Sequence, residues 1–449
     1  MKDLTKGYPA KVILMFSIPI ICGYIFQQLY GFADGKIVSN YVGTMAFAAV
    51  GATNVVTNTI IGFINGLTQG FAIPVSNCYG AKDFKKMRKY IAGTIKLTLI
   101  TAIVLTVVSM VFIENILRFL RTPEEIMSYA ISYVKIILAG IIFSAIYNMC
   151  ANVLRAVGDS KTPLYCLMTA VVINIVLDLL FVRELKMGIE GAAIATIISQ
   201  AISGFLCATY IYIRFKDILP TVEEWILDEG QYKNLITTGI SMGLMSCIVN
   251  IGTVVLQGGI NSLGTAYVSA HTAGRRVFDI LTVSMFSIGN SMTTYAGQNK
   301  GAGRYDRVKQ GVRHAVLIVL CLATILICIC FLFARPVFVW LASTTDETII
   351  NAAVMYSRIS ISFFYFLGPL FILRCTLQGV GKKVIPVFSS FVEMVIKIVS
   401  AKFLVPVLAY KGVAFTEPIS WVVMDVILLS AYLKWRKENT IVEKVNHNI

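Results

Sequence analysis

Five carboxylates stand well inside long apolar runs of this sequence: Asp34, Asp178, Asp279, Glu393 and Asp425. An ionised carboxylate among lipid tails costs at least ~2.5 kcal/mol, so each must face a cavity, a partner or the water interface. Asp34 and Asp178 point to the sharpest chemistry. Asp34 lies six residues before Asn40, the end of the first run, or about 9 Å along a helix. Asp178 lies five residues before Arg183, and Thr196 eight residues into the next run. These three fall at one level, roughly 8–12 Å below one membrane surface. Asn174, four residues before Asp178, shares its helix face. Two carboxylates in one low-dielectric pocket cannot both ionise cheaply, so the pair is expected to share a proton. The same oxygens, above all those of Asp34 and Asp178, would also suit a small hard cation such as Na⁺. Gln27 and Tyr30, on the run that holds Asp34, are candidate cavity-lining residues. The blander readings are that Asp34 pairs with Lys36 or meets water, and that Asn174 and Asp178 only stitch helices together.

The later charges follow another pattern. Arg275, Arg276 and Asp279 lie together near the middle of one run, and Glu393 and Lys397 lie four apart on another. That spacing predicts a neutralised pair or an interhelical clasp; the alternative is a polar cavity wall. Asp425 has no evident partner. Catalytic patterns are absent. No phosphate-binding GxxxxGK loop occurs, and His271, His314 and His447 lack metal spacing. The ten cysteines are scattered through apolar segments and read as small hydrophobes. Neither an enzyme nor a cofactor is expected.

The elements that must hold these residues are membrane spans. Of 449 residues, 57% are hydrophobic and 14% charged, where soluble domains carry about 25% charged residues. Mean hydropathy is +0.76. Apolar runs predict twelve transmembrane helices, near 12–40, 45–78, 91–113, 128–153, 163–182, 188–213, 233–262, 266–298, 312–334, 350–378, 384–409 and 412–434. Pro19, Pro74, Pro369 and Pro406 are candidate kinks. The net charge of +15 does not imply nucleic-acid binding, because the basic residues fill short loops, where they set topology. Lys82, Lys85, Lys86, Arg88 and Lys89 fill the second loop, and Lys300, Arg304, Arg307, Lys309 and Arg313 the eighth. Lys2, Lys6, Lys11, Lys434, Arg436 and Lys437 flank the ends, whereas in the third loop Arg118 and Arg121 meet Glu114, Glu124 and Glu125. Both termini are therefore expected in the cytoplasm.

Two halves repeat. At an offset of 221, Asn40, Gly43, Thr44 and Ala49 match Asn261, Gly264, Thr265 and Ala270, and Gly80-Ala81 matches Gly301-Ala302. At 223, Leu154, Val157, Gly158 and Pro163 match Leu377, Val380, Gly381 and Pro386. Residues 1–213 and 233–449 are expected to be parallel six-helix repeats joined by a cytoplasmic linker at 214–232. Such an all-α pseudo-symmetric pair can rock about a cavity, as alternating-access transporters do. The acid pair is not repeated, since Val255 and Ala401 stand at the equivalent positions.

Several stretches together resemble the multidrug and toxic compound extrusion (MATE) family: IPIICGYIFQQLYGFADGKIVSNYVGT, LRAVGDSKTP, NIVLDLLFV, GIEGAAIAT, GQNKGAGRYD and GVAFTEPISW. The resemblance implies a V-shaped pair of six-helix lobes in the cell membrane. It implies export of organic, often cationic and aromatic, small molecules in exchange for H⁺ or Na⁺. Asp34 looks like the family's first-helix aspartate, with Asn174, Asp178, Thr196 and Asn148 as polar partners. Some family branches use acids in spans 7 and 10, but those runs hold no Asp or Glu here. A monomer in the bilayer is the expected working unit. A flippase for lipids or lipid-linked oligosaccharides is the alternative, with Arg275, Arg276 and Lys397 suited to an anionic headgroup. A ligand-gated receptor or channel is a third reading, which the duplicated halves disfavour.

Overall fold

The computed structural model describes residues 3–120, 122–342 and 346–447, with side chains at all of these except 341–342 and 441–447. Lys2, Arg121 and the His447 side chain, counted above, lie outside the described residues. Apart from short connections, the described chain is helical. Each of the twelve apolar runs falls on one helix or on one interrupted helix. The first repeat contains α1 (Pro9–Tyr41), α2 (Thr44–Gly80), α3 (Phe84–Phe119), α4 (Glu124–Ala139), α5 (Ile141–Ala156), α6 (Lys161–Asp178) and α7 (Gly188–Arg214). The second contains α8 (Glu229–Asn261), α9 (Thr265–Gly301), α10 (Tyr305–Ala342), α11 (Glu347–Ser362), α12 (Phe364–Gly379), α13 (Val384–Val399), α14 (Val405–Leu408) and α15 (Tyr410–His447). Eight helices are long and apolar enough to cross a bilayer on their own. The α4–α5 and α11–α12 pairs qualify as bent spans, with angles of 45° and 52°. The two expected spans not among them are α9, which carries Arg275, Arg276 and Asp279, and the interrupted α13–α14 segment.

The duplication is written into the backbone. Helices α1 and α8 are both 33 residues long, and α2 and α9 both 37. The 16-residue bent pairs recur in the same place, and a π-helical turn interrupts both equivalent later spans, at Leu179–Glu184 and Ser400–Leu404. Gly43 (φ 115°) and Gly264 (φ 99°) reverse the chain before α2 and α9. Only glycine enters that region cheaply, so the matched pair is a steric requirement met twice. The two sharp bends do not fall at the expected prolines. They fall at Gly140 and Phe363, while Pro19, Pro74 and Pro369 lie within helices. At Gly140 a Cβ would stand 2.3 Å from Ile197 Cγ1, so the missing side chain lets α7 press against the break.

Contacts divide the chain into two compact units. One comprises Pro19–Cys247 with the first three residues; the other comprises Leu4–Ile18 and Ile248–Ile449. The division therefore falls inside α1, at Pro19, and inside α8, not at the linker. Proline supplies no N–H to the helix ladder, which makes Pro19 a natural place for α1 to change partners. In the first unit the linker is folded. Phe215, Ile218 and Leu227 are buried in its core. Arg88 on α3 grips Glu224 from Nε at 2.8 and 3.0 Å and from a terminal nitrogen at 2.8 Å. Thr221 and Glu224 form a capping box. Lys96 donates to the Trp225 carbonyl at 2.6 Å and lies over its ring. In the second unit the N-terminal segment is tied to α9 and α10. The Leu4 amide donates to Gln298 at 3.0 Å, Asn299 donates to the Leu4 carbonyl at 3.2 Å, and Arg304 to that of Thr5 at 3.1 Å. The ten cysteines are unbridged. Many helix faces present bare apolar side chains outward, such as Phe32, Val107, Phe205 and Leu332, as a lipid-facing surface requires.

Candidate functional site

Three helices of the first unit bring the expected acid cluster together. Helix α1 supplies Asp34 and, one turn earlier, Tyr30. Helix α6 supplies Asn174 and, as its last residue, Asp178. Helix α7 supplies Thr196, whose Oγ1 lies 3.0 Å from the Tyr30 hydroxyl. Asp34 is 9% exposed, Asn174 1% and Asp178 0%. The Asp34 and Asp178 carboxyls lie within hydrogen-bonding reach of each other, with Tyr30 and Tyr133 close enough to feel their charge. The hydrogen-bond tally at this spot is unusual. Asp34 Oδ1, both Asp178 oxygens and both amide atoms of Asn174 are buried with no donor or acceptor among the described residues. Buried polar atoms in folded proteins are nearly always satisfied, so a cluster of five orphans marks a place for something else. Two ionised carboxylates offer only acceptors, and their contact becomes a hydrogen bond once one proton sits between them. A bare Na⁺ would draw on the same oxygens.

Lys36 does not settle the charge. It is exposed and makes no ion pair with Asp34 among the described residues. The wide turn Leu179–Glu184 begins directly after Asp178. Such turns collect at functional sites because they free backbone groups from the regular ladder. Asn148 does not join the cluster. With Gln27 it lines a separate cleft between α1, α2, α5 and α6, and its amide donates to the Ser144 carbonyl at 2.9 Å.

The second unit holds a different object. The Arg275 guanidinium reaches Asp279 at 2.9 Å and Glu417 at 2.7 Å. Lys397 reaches Glu393 at 2.9 Å, Glu417 at 3.9 Å and the Thr253 hydroxyl at 3.2 Å. Arg374 closes on Glu393 at 3.6 Å. Three cations thus face three carboxylates across α9, α12, α13 and α15, and the set is neutral. This is the clasp that the Glu393–Lys397 spacing suggested, enlarged by Arg374 and Glu417. Sequence reasoning missed both. Glu417 lies in GVAFTEPISW near the start of its run, and Arg374 stands among apolar residues of the run 350–378; neither has a charged partner at helical spacing in its own segment. Arg276 does not share in the clasp; it is exposed and makes no ion pair among the described residues. Beside the network, the His271 ring packs edge-on to Tyr356 and Tyr410 at 4.9 and 6.2 Å. Asp425 Oδ1 is buried and unpartnered; Arg374 is the cation that acts on it.

With this geometry in place, the similarities to known proteins are specific. The MatE family profile matches residues 19–180 and 242–402, one match in each repeat. A probable multidrug resistance protein of Bacillus subtilis, YpnP, is 34% identical over 309 residues, covering 68% of each chain. A second from that organism, YoeA, is 25% identical over 383 residues, covering 84% of this chain and 82% of its own. An outward-facing multidrug resistance MATE transporter of the MOP superfamily superposes with a TM-score of 0.90 at 22% identity, over 97% of this chain and 98% of its own. The matched profile spans both repeats, and the fold is that of the solved relatives. The chain belongs to the MatE family of membrane transporters, the multidrug efflux family that its motifs resemble.

Proposed function

We propose that this chain exports small organic compounds, cationic and aromatic ones among them, by exchange with H⁺ or Na⁺ bound at Asp34 and Asp178. The observation that carries the reading is the facing pair of buried carboxylates with no counter-charge, next to an unpartnered Asn174. Removing two carboxylates from water without a partner costs several kcal/mol, and a monovalent cation between them relieves most of that. Occupancy would reshape the surroundings of α1, α6 and α7, and with them the substrate's affinity. The repeats 1–213 and 233–449 would act as the two lobes, with 214–232 and both termini in the cytoplasm and the chain working as a monomer in the cell membrane. One charge moving inward down 100 mV supplies about 2.3 kcal/mol. At 1.36 kcal/mol per decade this sustains roughly a fifty-fold substrate gradient.

The test is ethidium efflux from proteoliposomes, with a proton gradient and a Na⁺ gradient imposed separately. Wild-type protein is expected to respond to at least one of them, and Asp34→Asn to neither. Full gradient-driven efflux by Asp34→Asn removes the assignment. For the flippase alternative, two of its three cations are engaged, Arg275 by Glu417 and Lys397 by Glu393, which leaves Arg276 as the one without an ion pair among the described residues.

A further inference from the structure

The cleft that takes Asn148 and Gln27 away from the acid pair has the opposite chemistry. Its polar lining includes Tyr24, Gln27, Asn65, Asn148 and Arg155, and no carboxylate. Arg155 is half-buried and makes no ion pair among the described residues. It is held in place by a relay. One terminal nitrogen donates to Asn152 Oδ1 at 3.1 Å, and Asn152 Nδ2 donates to Thr68 Oγ1 at 3.1 Å. Its Nε–H is buried and unpartnered. A guanidinium fixed by neutral groups, with an unused donor and no counter-ion, is an electrostatic debt that an anion would cancel. The surrounding amides add donors and no charge. The cavity volume is about 40 Å³, where one water needs ~10–15 Å³. That is room for a single small group and not for a whole drug. Arg155 lies in the last turn of α5, and since spans alternate in direction, that helix end falls on the same side as the basic stretch Lys82–Lys89. Positive charge on that side favours anions near Arg155.

We propose that this cleft is an anion-binding site in which Arg155, with Gln27, Asn65 and Asn148, receives the carboxylate of an organic solute or the phosphate of a lipid headgroup. The site owes nothing to Asp34 or to any ion gradient, so it stands or falls apart from the exchange reading above.

The experiment uses the full chain in phosphatidylcholine nanodiscs. Phosphatidylglycerol retention is read by native mass spectrometry, and labelled benzoate and inorganic phosphate binding by equilibrium dialysis. At least one probe is expected to bind wild-type protein, and Arg155→Gln to weaken that binding tenfold or more, with Arg155→Lys between the two. Phosphatidylglycerol alone identifies the lipid as the source, and benzoate or phosphate alone a solute. Should Arg155→Gln not fold, Gln27→Leu combined with Asn65→Leu leaves the Thr68–Asn152–Arg155 relay intact and is expected to weaken binding at least threefold. Absence of binding by all three probes, or equal binding by wild type and the folded variant, overturns the proposal.

Discussion

At the scale of single residues, the two units handle buried charge in opposite ways, and mutations should separate them. Glu417 neutralises Arg275 and approaches Lys397, with only 9% of its side chain exposed. Glu417→Gln therefore leaves the set one positive charge out of balance, with Arg275 37% exposed and still held by Asp279, and is expected to cost about 1–3 kcal/mol of stability. The check is a melting curve in detergent. Asp178 has no cationic partner to lose among the described residues. Asp178→Asn should leave melting unchanged or raised while gradient-driven efflux falls, which is the trade expected where a strained site serves activity. A drop in both would make Asp178 structural. The acid pair was legible because depth can be counted at a fixed rise per residue and because Asn174 and Asp178 sit one turn apart. The clasp was legible only in part. Glu393 and Lys397 announce themselves by spacing, but their partners Arg374 and Glu417 come from other helices, and helix-to-helix pairing leaves no local trace.

At the scale of helices, the twelve apolar runs all fall on helices, ten of them apolar enough to span as single helices or bent pairs, whereas the bends escaped because sterics between helices set them. Small residues decide another contact. Gly66 and Gly70 on α2 meet α8 where Gly239 and Gly243 stand, each pair four residues apart. A Cβ at Gly70 would lie 2.5 Å from the Thr238 carbonyl oxygen, and one at Gly66 2.6 Å from that of Met242. Backbones this close depend on small residues on both sides. Gly70→Val is expected to cost about 1–3 kcal/mol through overpacking, read as a lowered melting temperature. Gly230→Val, where open space surrounds the glycine, is the control and should leave the melt unchanged.

At the scale of the whole chain, the linker is a fastened part. The Arg88 guanidinium, by hydrogen bonding, holds the Glu224 carboxyl at about 2, below its ordinary 4.5. A carboxylate lowered in this way contributes stability that is full above about 4.5 and is lost as pH falls through about 2. The Trp225 signal, taken as a difference spectrum against Trp225→Phe, is therefore expected to hold at pH 4 and collapse only near 2. In Arg88→Gln the midpoint should move up towards 4.5. The capping box Thr221-x-x-Glu224 was present in the sequence, but its docking onto α3 was not, since Arg88 lies 136 residues away. The doubled backbone carries a last consequence. Matching reversals, bends and wide turns recur in both halves, yet the acids occupy one half only, with Val255 and Ala401 at the other's equivalent places. The second half thus keeps the frame of an acid pair without the acids: carboxylates placed at Val255 and Ala401 would stand where the first half carries Asp34 and Asp178.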